Sequence, residues 1–489
     1  MHANPEQLMT QGAMTLGRLA FARGDHAAAE AHFSAARAAG ADGFEVLNHL
    51  GFLARERGAP DDAGDLYAAA LEHAPADAAT HGNLGDIRRT QGRIAEAVAL
   101  FRRAAALAPE RAEMQANLGS ALLAARRPEA AIAPLERALA LDPGMIGARS
   151  DLAVVLCALN RYDQAADHYR IAYRREPANN NARYLEALAL LAMGDFANGW
   201  RKHECRWYAE LGQGQRARFE QTGWLGEPDI AGRTILLHAE QGLGDTFQFV
   251  RYAPLVGALG ARVLLHVPAA IAPTLAAMPG IERIIPYGED LPAFDTHCSL
   301  MSLPRAFRTE ITSIPATVPY INAPADRVEA WRHRLGPPDG RRRVAIAWSG
   351  STALWNRSMP LATLAPLLVR PDCVFHVAQT DIAAPDRATL AELPHVLDHS
   401  AALDDFADTA ALLAAMDLVI SVDTVLVHLA GALARPVWTM LPFGADYRWM
   451  SGTDASPWYP TMRLFRQPAF DDWNSVLAAI GQALDTMPP

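Results

Sequence analysis

Residues 78–111 read AATHGNLGDIRRTQGRIAEAVALFRRAAALAPER, and this stretch decides the architecture of the first part of the chain. Leu84, Ile87 and Ala97 fall where two helices would cross and supply an apolar seam between them. Gly92 permits a tight turn between the helices. Pro109 stops the second one, because proline has no amide proton to continue the ladder. The frame returns every 34 residues. Glycine falls at Gly17, Gly51, Gly85 and Gly119, and alanine at Ala29, Ala63, Ala97, Ala131 and Ala165. A second alanine series runs through Ala36, Ala70, Ala104, Ala138 and Ala172, and Pro75, Pro109, Pro143 and Pro177 close the units. Phe33, Tyr67, Phe101, Leu135 and Tyr169 occupy one further phase.

This spacing is similar to the tetratricopeptide repeat, a helical hairpin with small residues at the crossing and proline at the exit. Five units are recognisable, and the first and last are imperfect, as capping repeats are. An α-solenoid over residues 10–195 is therefore expected. Such a surface binds partners and rarely does chemistry, so any catalysis belongs beyond about Arg183, where the phase dissolves.

The totals bound the rest. A chain of 489 residues exceeds one core, and roughly three domains are expected. With 51% hydrophobic and 20% charged residues it reads as globular rather than disordered. A net charge of −10 argues against a nucleic-acid partner, which needs a basic face. No apolar run reaches the ~18 residues of a membrane span, so no transmembrane segment is expected, and MHANPEQLMTQG lacks the pattern of a signal peptide. Cys157, Cys205, Cys298 and Cys373 are scattered, with no C-x-x-C. That spacing indicates neither zinc ribbon nor disulfide framework and points to the reducing cytoplasm.

Residues 196–232 are rich in tryptophan (Trp200, Trp207, Trp224), unlike a free Gly/Ser linker, and are expected to dock the repeats onto the region beyond Arg233. In that region come short β-branched runs separated by helical segments: TILLHA (234–239), RVLLHV (262–267) and RIIPY (283–287). After a proline-rich stretch, Ile314–Pro338, there is a second series: RVAIAWSG (343–350), VFHVAQ (374–379), DLVISVD (417–423) and PVWTML (436–441). Buried parallel strands have this look. Two Rossmann-like halves are expected, 233–320 and 342–470, with a closing helix in 471–489 that packs on either half.

Ligands of such sheets bind beyond the carboxyl ends of the strands. Four loops stand out there. In HAEQGLGD (238–245), Gly242 and Gly244 let backbone approach a ligand, and Asp245 is either a helix cap or a general base. In SVDT (421–424), Asp423 and Thr424 precede a helix whose first amides suit a phosphate, with His428 one turn in as donor or core residue. In WSGSTALWNRSMP (348–360), Arg357 is either a phosphate clamp or an exposed cation. Gln379, ending VFHVAQ, is placed to bond a base or ribose.

The stretch from about Ile235 to Leu484 resembles the glycosyltransferase family that includes bacterial ADP-heptose:lipopolysaccharide heptosyltransferases. The matching segments are GLGD (242–245), VDT-x-x-x-HLAGAL (422–433) and RSMP (357–360), standing where that family often has K-x-W-P. The resemblance implies the GT-B fold, with Asp245 as catalytic base, Arg357 on the donor phosphate, and Thr424 and His428 around the sugar nucleotide. Val425 stands where the family usually has glycine, and the first half is short. Both points lead away from heptose and lipopolysaccharide. Repeats joined to a transferase also resemble bacterial flagellin glycosyltransferases and, in outline, O-linked N-acetylglucosamine transferases. Asn83 and Asn117 then match an asparagine ladder that grips an acceptor backbone, which Asp151 interrupts. Solvated polar residues on a helix face remain the alternative.

The resulting expectation is a cytoplasmic, inverting glycosyltransferase moving a sugar from a nucleotide-sugar to a protein or peptide acceptor held by the repeats. The nucleotide-sugar is a substrate, so no cofactor is expected. No Asp-x-Asp occurs, so no metal is expected either. A glycan or lipopolysaccharide acceptor, and a non-catalytic interaction protein, stay open as alternatives.

Overall fold

The structure, a computed structural model, describes residues 5–210, 219–350 and 357–487. Residues 211–218 of the tryptophan-rich stretch and 351–356 of the loop carrying Arg357 lie outside the described residues. The chain divides into two compact units, Met1–Leu159 and Asn160–Pro489.

The first unit is a run of antiparallel helices: α1 (Pro5–Ala22), α2 (His26–Ala38), α3 (Phe44–Glu56), α4 (Pro60–His73), α5 (Ala78–Thr90), α6 (Ile94–Leu107), α7 (Ala112–Ala124), α8 (Pro128–Leu141) and α9 (Ile146–Ala158). The periodic glycines and aromatics of the sequence prove to be two sides of one contact. A methyl group on Gly17 would come within 2.9 Å of the Phe33 ring, one on Gly51 within 2.9 Å of Tyr67, and one on Gly85 within 3.0 Å of Phe101. On Gly119 it would approach Leu135 Cγ to 2.4 Å. Only hydrogen fits there, so each large side chain is sealed into the crossing of its own hairpin, and all four are buried. Gly92 has φ +73°, the left-handed turn that the sequence called for between α5 and α6.

The second unit begins with three more helices, α10 (Tyr162–Arg175), α11 (Asn180–Ala192) and α12 (Phe196–His203), and continues into two parallel sheets. The first sheet holds β1 (Thr234–His238), β2 (Arg262–Val267), β3 (Arg283–Pro286) and β4 (Thr296–Ser299) in the order β3-β2-β1-β4. Its helices are α13 (Leu243–Phe249), α14 (Ala253–Ala258), α15 (Ala272–Leu275) and α16 (Leu303–Ala306). The proline-rich stretch after them contains α17 (Ala325–Leu335), because its prolines bracket the helix and leave its interior free. Arg327 fastens it to Asp405 and Asp408 at 2.6 and 3.0 Å.

The second sheet holds β5 (Arg342–Ala347), β6 (Cys373–Val377), β7 (Leu397–Asp398), β8 (Leu418–Val422), β9 (Val437–Leu441) and β10 (Met462–Arg466) in the order β10-β9-β8-β5-β6-β7. Its helices are α18 (Leu361–Leu368), α19 (Ala384–Ala391), α20 (Phe406–Ala414), α21 (Val425–Ala432) and α22 (Trp473–Thr486). Counted from β5, this is the doubly wound order 3-2-1-4-5-6, whose direction of winding reverses between β5 and β8. β1, β8 and β9 are buried throughout, as parallel strands covered on both faces must be. α22 packs on this second half, placing Trp473, Val476, Leu477 and Ile480 in its core.

Gly119→Val is expected to lower the stability of the first unit by about 2–3 kcal/mol, since the added bulk overpacks the hairpin. Leu135→Ala in the same chain should restore part of that loss. Urea unfolding of the single and double variants measures it, and a neutral Gly119→Val would contradict the packing account.

Candidate active site

One cavity of about 860 Å³ is lined from both halves of the second unit. Its position is set by topology, since the loops after β1, β5 and β8 all leave the sheets where winding reverses. Gly242, Gly244, Asp245, Arg357, Gln379, Asp423, Thr424 and His428 all line it. Asn83 and Asn117 belong to the first unit, half-buried on α5 and α7. Asp151, at the same phase, accepts a hydrogen bond from the Ser120 hydroxyl, and burial raises its carboxyl above the ordinary range.

Asp245 is the third residue of α13 rather than the residue before it. Its Oδ2 accepts the Gly242 amide at 2.9 Å, so the side chain caps the helix by reaching back to the preceding turn. Its Oδ1 meets the Arg448 guanidinium, which comes from the loop after β9 in the other half. The carboxylate thus caps α13 through one oxygen and meets the cavity arginine through the other. Burial pushes its carboxyl above the usual range, while the Arg448 cation opposes that rise. The room left by Gly244 is taken by His428: a methyl there would stand 2.8 Å from the imidazole Cδ2. Gly244 therefore lets α13 approach α21.

Thr424 caps α21, its hydroxyl accepting the Leu426 amide at 3.2 Å. Beside it, the tight Gly350 backbone brings Arg357 and Thr424 together: a methyl on Gly350 would lie 2.9 Å from Thr424 Cγ2 and 3.2 Å from Arg357 Nε. His428 is buried, stacked at 5.3 Å on Trp449, with Nδ1 3.0 Å from the Tyr459 hydroxyl. Burial and the Arg448, Arg251 and Arg357 cations hold it well below its usual pKa, so the ring is neutral and presents a single N–H. The Gln379 amide is engaged inside the protein. Its oxygen accepts the Trp348 and Ser349 amides at 2.9 and 3.3 Å, and its nitrogen donates to Ser349 Oγ and the Asp381 carbonyl at 3.0 Å each. It braces the loop that leaves β5.

Sequence reasoning missed Arg448 and Asp446. Arg448 donates to Asp446 at 2.7 Å and to Asp245, and both Arg448 and Asp446 line the cavity. The rule that singled out the loops after β1, β5, β6 and β8 applies equally to the loop after β9. There, an arginine two residues after an aspartate was the available signal.

Asp423 is 9% exposed, and burial, aided by the neighbouring Asp446 charge, raises its carboxyl to about 6. A carboxyl raised in the folded state binds protons that the unfolded chain has released, so its ionisation weakens the fold as pH rises from about 4 to 6. Asp423→Asn is therefore expected to be more stable than the parent at pH 7, by up to ~3 kcal/mol, with the gap closing toward pH 4. Denaturant midpoints measured across that range test the sign. A gap that widens on acidification would contradict it.

Tetratricopeptide-repeat family models match residues 42–110, 83–146 and 150–199. The model of glycosyltransferase family 9 (heptosyltransferase) matches residues 399–445, a span holding Asp423, Thr424 and His428. Protein FlbA of Caulobacter vibrioides is 28% identical over 330 residues, which is 62% of this chain and 54% of that protein. The chain thus spans about half the length of this curated relative. Among solved structures, MamA is 22% identical, with a TM-score of 0.33, over 35% of this chain and 92% of that one. The Pseudomonas aeruginosa protein pilF is 20% identical, with a TM-score of 0.35, over 41% and 90%. The chain therefore matches tetratricopeptide repeats over residues 42–199 and the glycosyltransferase family 9 model over residues 399–445, the second span holding the VDT-x-x-x-HLAGAL segment.

Proposed function

We infer that this chain is an inverting, metal-independent glycosyltransferase that moves a sugar from a nucleotide-sugar to a serine or threonine hydroxyl of a protein. Flagellin is the acceptor class its design resembles. The observation that carries this reading is the cavity. A carboxylate with a raised pKa, two arginines, a helix N-terminus and the neutral His428 ring surround one space of about 860 Å³. Its size suits a sugar nucleotide.

In this reading the donor phosphate lies against the first amides of α21, Arg357 and the His428 N–H. Asp245 takes the proton from the acceptor hydroxyl while that oxygen bonds to the anomeric carbon. The bond from that carbon to the donor phosphate oxygen breaks, and its electron pair leaves with the phosphate. Each fixed donor aimed at the departing charge contributes about 3 kcal/mol. A carboxylate offers about four lone-pair directions, so Asp245 retains acceptor capacity beyond its bonds to Gly242 and Arg448. Asn83 and Asn117 grip the backbone of the acceptor segment, and the repeats thereby select the protein that is modified.

Asp245→Asn keeps an oxygen for the Gly242 amide but removes the base. It is expected to lower sugar transfer on the order of a hundredfold or more while nucleotide binding persists. Undiminished transfer of labelled sugar would remove Asp245 from the role. Arg357→Ala is expected to weaken nucleotide-sugar binding about tenfold, as loss of a charged hydrogen bond does. Calorimetry reads that constant directly, and an unchanged affinity excludes Arg357 from the phosphate site.

A further inference from the structure

The loop between β9 and β10 carries Asp446 and Arg448, and its contacts reach well outside the sheet that bears it. Phe443 and Ala445, just ahead of Asp446, offer their carbonyl oxygens to residues at the head of α10. Asn160 Nδ2 donates to Phe443 O at 2.8 Å. The Tyr162 hydroxyl lies 3.3 Å from Ala445 O and 3.0 Å from Asn160 Oδ1, so one proton serves either acceptor. The far end of the loop is held as well, by a bond from the Ser451 amide to Ala192 O at 3.2 Å, at the end of α11. Between these anchors Tyr447 is buried, its ring 6.0 Å from Trp200 and 6.1 Å from His203, both on α12. The Arg448 guanidinium lies 4.5 Å over the Tyr447 ring.

We propose that Asn160 and Tyr162 are positioning residues of the site, holding the Phe443–Ser451 loop so that Arg448 meets Asp245. The proposal rests on the transferase reading for its consequence, but its geometry does not depend on it. Asn160 has φ +58°, a conformation that asparagine tolerates better than most residues, so the turn before α10 is shaped to deliver this amide. Arg448 reaches across to the opposite half, so where its guanidinium lands is set by the loop that carries it. Misplacement by about 1 Å is enough to cost a site on the order of a hundredfold. α10 and α11 fall within the span matched by the repeat model through residue 199. The last helices of repeat type are then a working part of the active centre.

The test uses the full chain. Asn160→Gly keeps the left-handed turn and removes the amide; Tyr162→Phe keeps the ring and removes the hydroxyl. Asp245 faces Arg448 and Asp446 from this loop, with Arg357, Asp423 and His428 around the same cavity. A guanidinium that drifts away no longer opposes the raised carboxyl, so the Asp245 titration moves to higher pH. The acid limb of kcat/KM is expected to move up with it, with kcat/KM near pH 6 falling roughly tenfold for Asn160→Gly and less for Tyr162→Phe. The Asp245 carboxyl is followed by carbon-13 NMR without substrate, assigned with Asp245→Asn. That readout survives even if wild-type chain transfers no sugar, which would sink only the transferase reading. An upward shift with an unchanged melting temperature supports positioning. An unmoved titration overturns it, whether or not the melting temperature falls. If Asn160→Gly does not fold, Tyr162→Phe alone decides by the same titration.

Discussion

The ion pair between Asp245 and Arg448 is the constraint on which the site depends. Its partners come from different sheets, the carboxylate from the first turn of α13 and the guanidinium from the loop after β9. Both side chains are largely withdrawn from solvent, at 15% and 12% exposure. A pair so placed contributes little net stability, because desolvating two charges offsets most of their attraction. What it supplies is registration. With Gly244 against His428, it fixes the distance between the two helix starts that bound the cavity.

That registration sets the electrostatics. Asp245 and Asp423 are both raised by burial, and His428 is kept neutral by burial and by the arginines around it. Perturbed groups of this kind concentrate where chemistry is done, because each is held in a state that water would not favour. The site also has a braced frame. Gln379 ties the strand end of β6 to the loop leaving β5, and Tyr459 sits on the far nitrogen of His428. Cavity-lining groups are thus backed by groups that hold them still.

How much of this is legible in the sequence varies with the length scale of the signal. The repeat frame is plain because Gly85 and Phe101, like the other pairs of their series, answer one steric demand sixteen residues apart in four of the five units. β1, β2, β5 and β8 announce themselves as apolar runs. β4 (Thr-His-Cys-Ser) and the two-residue β7 carry no such run, and β10 alternates charged residues among apolar ones, so all three escape a reading by pattern. At the site, the motif residues from four loops stand out by sequence and share one cavity. Arg448 does not, because its role comes from a contact made across more than two hundred positions, and its one local signal is its place two residues after Asp446 in the loop after β9. Gln379 reads as a ligand contact, and only the structure shows its amide engaged by Trp348, Ser349 and Asp381.

The most direct measurement is a crystal structure of the chain grown with a nucleoside diphosphate. The account predicts phosphate density at the start of α21, touching the Thr424–Leu426 amides and Arg357, with the open end of the ligand turned toward Asp245. Density bound at another place, with this cavity holding only solvent, would contradict it.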